Sequence, residues 1–508
     1  MLLALLMLLA RNDELVIVER LQAEQTAAFA AAASELAARA DELGESDLAT
    51  ELRAAAQPPE SRDPLAGRVS QASSIPVGLP DERRHLYRRA DDLRTEHAAS
   101  IYRLARRASR SGHPAAAFHM LEEVARVAPD YEPARKMLGD QRTGDEWLTP
   151  FEAAMRRRRL VWHDRFGWLP ANHVERYEAG DRYFRNRWMT ADEEQSLRAP
   201  TPRGWEVETD HFVVNSNHSL ERAAMLAGKL EDFHRFFRRT YTDVFDSIRL
   251  AGALLETGPI PKKDKHAVRD FASREQYVAT LAPLQPNVGV STGLYLTSKR
   301  MSFFFYTDPA ASSVRPEEVL YHEVSHQLLA EADPAKQGIG MFGGFWAIEG
   351  FATYLESFDP GGDPRIGDID HLRIENARRL QIVLGKHVPL AEFESLNLRQ
   401  FQRGATYEEI VERYQQATGL THFFLHAEGG RYRDAFLQYI RELYDVKKSS
   451  PTPIARLTGQ TNTTLDAEYK AYLRDLDEQA EYPVQTRRRV DRGEAASDTE
   501  ATESGDTE

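Results

Sequence analysis

Val319-Leu-Tyr-His-Glu-Val-Ser-His-Gln-Leu-Leu329 sets two imidazoles four residues apart, with a carboxylate directly after the first. On an α-helix, positions i and i+4 lie one above the other, so His322 and His326 point the same way and can hold one metal ion through ring nitrogens. Glu323 stands beside the first ligand. From there it can take a proton from water without being a ligand, the role of the glutamate in an H-E-x-x-H motif. The flanks predict a helix. Pro316 suits a first helical position, Glu317 and Glu318 favour the positive end of the dipole, and Asp333-Pro334 stops the run. Val319, Leu320, Val324, Leu328 and Leu329 give that helix apolar surface to bury.

A five-residue pattern in a chain with 16 histidines carries limited weight alone. What lifts it is Phe345-Trp-Ala-Ile-Glu-Gly-Phe-Ala-Thr-Tyr-Leu-Glu356, a second helix-like segment that offers Glu349 as a third ligand. Two histidines and a glutamate, with the fourth position open, form a catalytic zinc set. The metal ligands expected are therefore His322, His326 and Glu349, with one Zn2+ per chain. Glu356, seven residues after Glu349, is either an acceptor for a ligand histidine or a solvated carboxylate. Gly338, Gly340, Gly343 and Gly344 between the two segments mark either a lid or a tight turn.

Trp346-x-x-Glu349-Gly350-x-Ala352-x-Tyr354-x-Glu356 following His322-Glu323-x-x-His326 resembles the gluzincin metallopeptidases, the group of thermolysin and aminopeptidase N. The nearer likeness is to the peptidase-MA-like domains of bacterial proteins, and it covers about residues 205 to 445. The segment between His326 and Glu349 is longer than is usual in gluzincins. The resemblance implies an α+β fold: a thermolysin-like zincin domain with a small mixed sheet, an active-site helix and a helical C-terminal subdomain. It implies that Ala352 is the small residue that lets two helices approach. It also implies an edge strand to which a peptide adds by backbone hydrogen bonds, for which Gly293–Leu296 and Met301–Phe305 are candidates; the Phe303-Phe-Phe305 run reads equally as a core strand. A tyrosine or histidine would hydrogen-bond the developing oxyanion, with Tyr414 the first candidate and His422 and Tyr407 the alternatives, against an ordinary tyrosine. The implied activity is zinc-dependent peptide-bond hydrolysis with Glu323 as general base. A Gly-x-Met-Glu-type element for a substrate amine is missing upstream of His322, so an endopeptidase is expected ahead of an aminopeptidase.

The rest of the chain reads as housing. A length of 508 residues predicts two or three domains, and 42% hydrophobic with 28% charged residues is a globular composition. A net charge of −14 argues against nucleic acid as partner, and Arg156–Arg159 reads as a solvated helix face. The lack of cysteine excludes thiol catalysis, cysteine-ligated zinc and disulfides. Residues 1–10 (MLLALLMLLA) are too short to span a bilayer but fit a signal-peptide h-region, which predicts export to the periplasm or outside; as a mere first helical turn they would leave the protein cytoplasmic.

Residues 11–140 form an expected all-α region, with a Pro-rich linker before Pro80. Within it, residues 112–139 resemble part of a tetratricopeptide repeat: one hairpin, packed on the enzyme or serving a protein partner. Residues 141–204, dense in Trp, Tyr and Arg, are expected as a connector pinned by large side chains, ahead of a ligand surface. The zincin-like domain is placed at 205–480, with strands at Trp205–Asn215, Ile248–Leu255 and His266–Phe271, and helices at Ser219–Tyr241, Ser273–Leu281, Ile374–Leu384, Tyr407–Thr418, Thr421–Ala427 and Tyr432–Tyr444. The charged tail, 481–508, is expected to be disordered. The competing functional reading is a catalytically silent, peptidase-like scaffold with a helical-repeat interaction surface.

Overall fold

The structure, a computed structural model, describes residues 2–56, 75–76, 78–200, 203–244, 264–286, 288–308, 315–332, 340, 342–361, 365–402, 406–445 and 450–484. It is a mixed α+β protein, mostly helical, with a small mixed sheet. No helix among the described residues is long and apolar enough to cross a membrane. The chain divides into two compact units, one of residues 1–335 with 358–365 and one of residues 336–357 with 366–508.

The first unit begins with α1 (Leu2–Glu42), α2 (Ser46–Ala56), α3 (Asp81–Arg110), α4 (Pro114–Val127) and α5 (Glu132–Leu138). Alanines at helical spacing are what let these helices close on one another. Ala33, Ala37, Ala40, Ala49 and Ala90 are buried with Leu48, Leu52 and Leu86 in one cluster, and Ala98, Ala105 and Ala108 with Ile101, Met120 and Val124 in a second. The hairpin expected over 112–139 is α4 and α5, ended by Gly139 at φ 99°.

The aromatic-rich segment is built more regularly than its sequence suggests. It consists of three β-hairpins, β1 (Gln141–Thr143) with β2 (Glu146–Leu148), β3 (Leu160–His163) with β4 (Gly167–Pro170), and β5 (Asp181–Phe184) with β6 (Arg187–Thr190). Each runs into a short helix: α6 (Pro150–Arg157), α7 (Val174–Glu178) after a 3-10 turn, and α8 (Ala191–Arg198). Trp147, Trp168 and Trp188 sit on the three second strands, 21 and 20 residues apart. Each Trp faces a large cross-strand partner, Arg142, Trp162 and Tyr183 respectively. Left-handed residues Gly139, Arg159 and Gly180 precede the three units, and capping boxes Thr149/Glu152 and Thr190/Glu193 start the first and last helices. The irregular spacing read from the aromatics as a whole conceals this period, because only one Trp per unit carries it.

The sheet follows. The alternating run at 205–215 was expected as one strand and is a hairpin, β7 (Trp205–Glu208) and β8 (Phe212–Ser216), because Thr209 closes a turn on Phe212 with both its N–H and its hydroxyl. Ser219 then caps α9 (Leu220–Thr240), its hydroxyl accepting from the Arg222 N–H. After β9 (His266–Phe271), α10 (Arg274–Leu281) is capped by Ser273, and β10 (Leu294–Leu296) and β11 (Met301–Phe305) lead into α11 (Pro316–Glu331). The order is β10-β11-β9-β8-β7, with the β8–β9 and β9–β11 pairs parallel and the outer pairs antiparallel. The strand expected at 248–255 lies outside the described residues. Glu122 of α4 and Arg239 of α9 form an ion pair, so the N-terminal hairpin rests on the helix that backs the sheet.

The second unit is helical: α12 (Phe345–Leu355), α13 (Leu372–Ile382), α14 (Leu390–Ser395), α15 (Leu398–Gln402), α16 (Tyr407–His426), α17 (Arg433–Leu443), α18 (Ile454–Thr458) and α19 (Asn462–Gln479). The two helices expected at 407–418 and 421–427 are one. Gly419 does not break it; a Cβ there would stand 2.4 Å from the Tyr469 hydroxyl and 2.9 Å from Ala377 Cβ, so the glycine serves a close helix crossing. Trp346, fully buried, stacks among Phe393, Phe424, Phe436 and Tyr439.

In the sheet, Asp270 on β9 is fully buried and accepts two hydrogen bonds from Arg222, at 2.7 and 2.8 Å, and one from the Ser216 hydroxyl at 2.7 Å. Arg222→Ala would leave that carboxylate without its cation, which costs about 3–5 kcal/mol for a buried pair. The expected outcome is a large drop in the urea midpoint, while Arg84→Ala, which removes an exposed pair to Asp81, leaves it nearly unchanged.

Candidate functional site

Between Leu320 and Glu331 nearly every residue of α11 is buried, as its apolar composition demands. The exceptions are His322, Glu323 and His326, which with Val319 form a half-buried stripe at i, i+3, i+4 and i+7. The helix thus opens to its surroundings along the face that carries the motif. His322 Nε2 and His326 Nε2 converge to 3.3 Å, with ring centroids 5.0 Å apart.

The opposite face is bolted to the sheet by polar side chains. Gln327, fully buried, donates to the Ala267 carbonyl of β9 at 3.1 Å and accepts from the Ser302 hydroxyl of β11 at 2.8 Å. Glu331 meets His266 Nδ1 of β9 at 2.8 Å, accepts from the Gln327 amide at 3.0 Å and lies 3.7 Å from Arg300. A helix tied at two points, one turn apart, to two strands cannot rotate about its axis, so the direction of its histidines is fixed.

Glu323 is positioned by the edge of the sheet. The Tyr295 N–H of β10 donates to Glu323 Oε2 at 2.7 Å. The approach requires glycine at position 293: a Cβ there would stand 2.8 Å from Val319 Cγ1 and 3.0 Å from Glu323 Cγ. Of the two strands considered for peptide addition, β11 is excluded as an edge because β9 and β10 occupy both its sides, and its Phe303 and Phe304 are core residues. Among the described strands β10 lies at an edge of the sheet.

In the second unit, Glu349 lies on the wholly buried α12. Gly350 beside it lets α12 cross α16, since a Cβ would come within 2.5 Å of the Ala417 carbonyl oxygen, and Thr353 and Thr418 share a hydroxyl hydrogen bond of 2.6 Å. Ala352 is buried on the same helix. Glu356 accepts from Arg373 Nε at 2.6 Å, so this buried carboxylate is an ion-pair partner. Gly340, Gly343 and Gly344 all have positive φ, and Gly344 caps α12 with its N–H donating to the Glu394 carbonyl at 2.7 Å. Gly338 lies outside the described residues.

The three oxyanion candidates all lie on α16. Tyr414 packs on Phe401 and its hydroxyl accepts from Gln402 Nε2 at 3.1 Å. His422 is buried with both ring nitrogens engaged, Nδ1 with the Tyr472 hydroxyl at 2.6 Å and Nε2 with the Gly367 carbonyl at 3.0 Å, and burial pushes it down to about 4. Tyr407 is 84% exposed at the first position of the helix.

Gln327, Glu331, His266 and Tyr295 were not singled out in the sequence. The signal available was a polar residue at position 327 and a carboxylate at 331, one turn apart within an apolar run. Comparison of the chain with protein-family models and with curated protein sequences found no match to either.

Gly293→Ala is expected to force β10 away from α11, at a cost of about 1–3 kcal/mol for overpacking a tight contact. Gly228→Ala, a helix-interior glycine with open space around it, is expected to be neutral or slightly stabilising. Urea unfolding of the two variants should therefore give shifts of unequal size, and equal shifts would contradict the close approach of β10.

Proposed function

We propose that this protein is a zinc-dependent peptidase of the gluzincin type, with His322, His326 and Glu349 as metal ligands and Glu323 as general base. The observation that carries the reading is the 3.3 Å separation of the two histidine Nε2 atoms on the open stripe of α11. Two imidazoles bound to one tetrahedral zinc at about 2.0–2.1 Å stand about 3.3–3.4 Å apart, so the nitrogens already have the spacing of two corners of such a site. Glu349 is proposed as the third ligand from its place in the Glu349-Gly350-x-Ala352 pattern on α12. A set of two neutral imidazoles and one carboxylate suits a borderline divalent cation and leaves a position for water or substrate.

Zinc, when bound, supplies a Lewis acid that polarises a peptide carbonyl and acidifies water. The chain's own groups do the rest. Glu323, steadied by the Tyr295 N–H, accepts a proton from water and returns it to the leaving amine. β10 offers an edge on which an extended peptide can pair, which favours an endopeptidase because such pairing needs chain on either side of the cut bond. Tyr414 is the preferred oxyanion donor of the three. His422 is held on both nitrogens and Tyr407 stands in solvent at a helix start, which leaves Tyr414 as the candidate carried into the proposal.

The test is zinc content together with cleavage of a mixed peptide library, read by mass spectrometry. Glu323→Gln is expected to keep zinc and to lose about 10²–10⁴ of the cleavage rate, the range of a general base. His326→Ala and Glu349→Ala are expected to lower bound zinc by about one per chain. Bound zinc with no cleavage in the wild type, and no effect of Glu323→Gln, would instead make the protein a silent scaffold.

A further inference from the structure

A second cluster of metal-type ligands is formed by α9 and the β7–β8 turn. His211 sits in the turn between β7 and β8, and Glu231 and His234 stand three residues apart on one face of α9. One ligand atom from each, two imidazole nitrogens and a carboxylate oxygen, come within 4.8 Å of one another. Their carriers are rigid. The turn is closed by the Thr209–Phe212 bonds, the His211 N–H donates to Glu231 Oε2 at 3.1 Å, and the His211 and His234 rings stack with centroids 3.8 Å apart. His234 is buried, while His211 is about a third exposed and gives access from solvent.

His211 Nδ1 lies 2.5 Å from Glu231 Oε1, so the imidazole and the carboxylate already meet. Asp210 and Asp232 flank the ligands in sequence, and Arg235 pairs with Asp232. The three ligand groups are thus brought together from two separate elements, which a divalent cation would join.

We propose that His211, Glu231 and His234 form a second metal site, taking a borderline divalent cation such as Zn2+ and distinct from the His322–His326 pair. Its donor set of two imidazoles and one carboxylate selects that class of ion over calcium or magnesium, which prefer all-oxygen shells. The site joins the β7–β8 turn to α9. That helix in turn backs α11, through Phe233 stacked on Tyr321 with centroids 4.9 Å apart and through the Lys229–Glu317 ion pair. Metal here stiffens the platform behind the candidate catalytic helix and takes no part in chemistry.

The experiment uses the full chain stripped with a chelator, dialysed against micromolar Zn2+, and assayed for metal per chain and for thermal unfolding. Four proteins are compared: wild type, His322→Ala/His326→Ala, His211→Ala/His234→Ala, and all four substitutions together. The chain lacking His322 and His326 should still hold about one zinc and melt higher with zinc than without, and the fourfold variant should hold none. If His234→Ala prevents folding, His211→Asn at the more exposed ligand decides the matter, with an expected weakening of zinc binding of at least about tenfold. Unchanged zinc content on loss of His211 and His234, in both backgrounds, overturns the second site. Loss of zinc only on removing His211 and His234 upholds it while removing the basis for the catalytic reading.

Discussion

The arrangement depends on one constraint: α11 is held to the sheet by buried polar groups on one face and opens along a single stripe on the other. Hydrophobic burial alone would keep the helix on the sheet, but it is non-directional and tolerates rotation and sliding. Gln327 and Glu331 remove that freedom, because their partners on β9 and β11 sit at fixed heights along the strands. Leaving either amide or carboxylate unpaired in the interior costs about 1–3 kcal/mol or more, so a shifted helix is penalised twice. The convergence of two imidazole nitrogens on the far face is the geometric result.

A second theme is backbone proximity. Gly293 brings the edge strand against Glu323, Gly350 brings α12 against α16, and Gly419 brings α16 against Tyr469 and Ala377. The contacts thus involve the motif helix α11, the Glu349-bearing helix α12 with α16, and α16 with α13 and α19. None of the three has a positive φ, so their role is space and not conformation.

Much of this was legible in the sequence wherever periodicity and caps agreed. Ser219, Ser273 and Pro316 announce the starts of α9, α10 and α11, and His266–Phe271 alternates as β9 does. The signals that misled were local ones overridden by contacts distant in sequence. The alternating run from Trp205 hides a turn that Thr209 closes with its side chain, and Gly419 reads as a break until Tyr469 is seen above it. For the candidate site, the His322–His326 pair could be read from spacing, whereas Gln327, Glu331 and the His211 cluster could not, since their meaning lies in partners 20 to 65 residues away. The edge position of β10 needed the strand order, which no periodicity encodes.

The three hairpin–helix units of residues 141–198 bear on how this chain can vary. Each unit closes its own ladder, and its entry is set by a left-handed residue, so the cut between units severs no strand pairing. Insertion or deletion there is therefore quantised: a whole unit of about twenty residues can be gained or lost with every hydrogen-bonded pair intact, while a change of five or ten would strand half a hairpin. The distance along the chain between the N-terminal helices and the sheet should accordingly vary in steps, as the length of a repeat protein does.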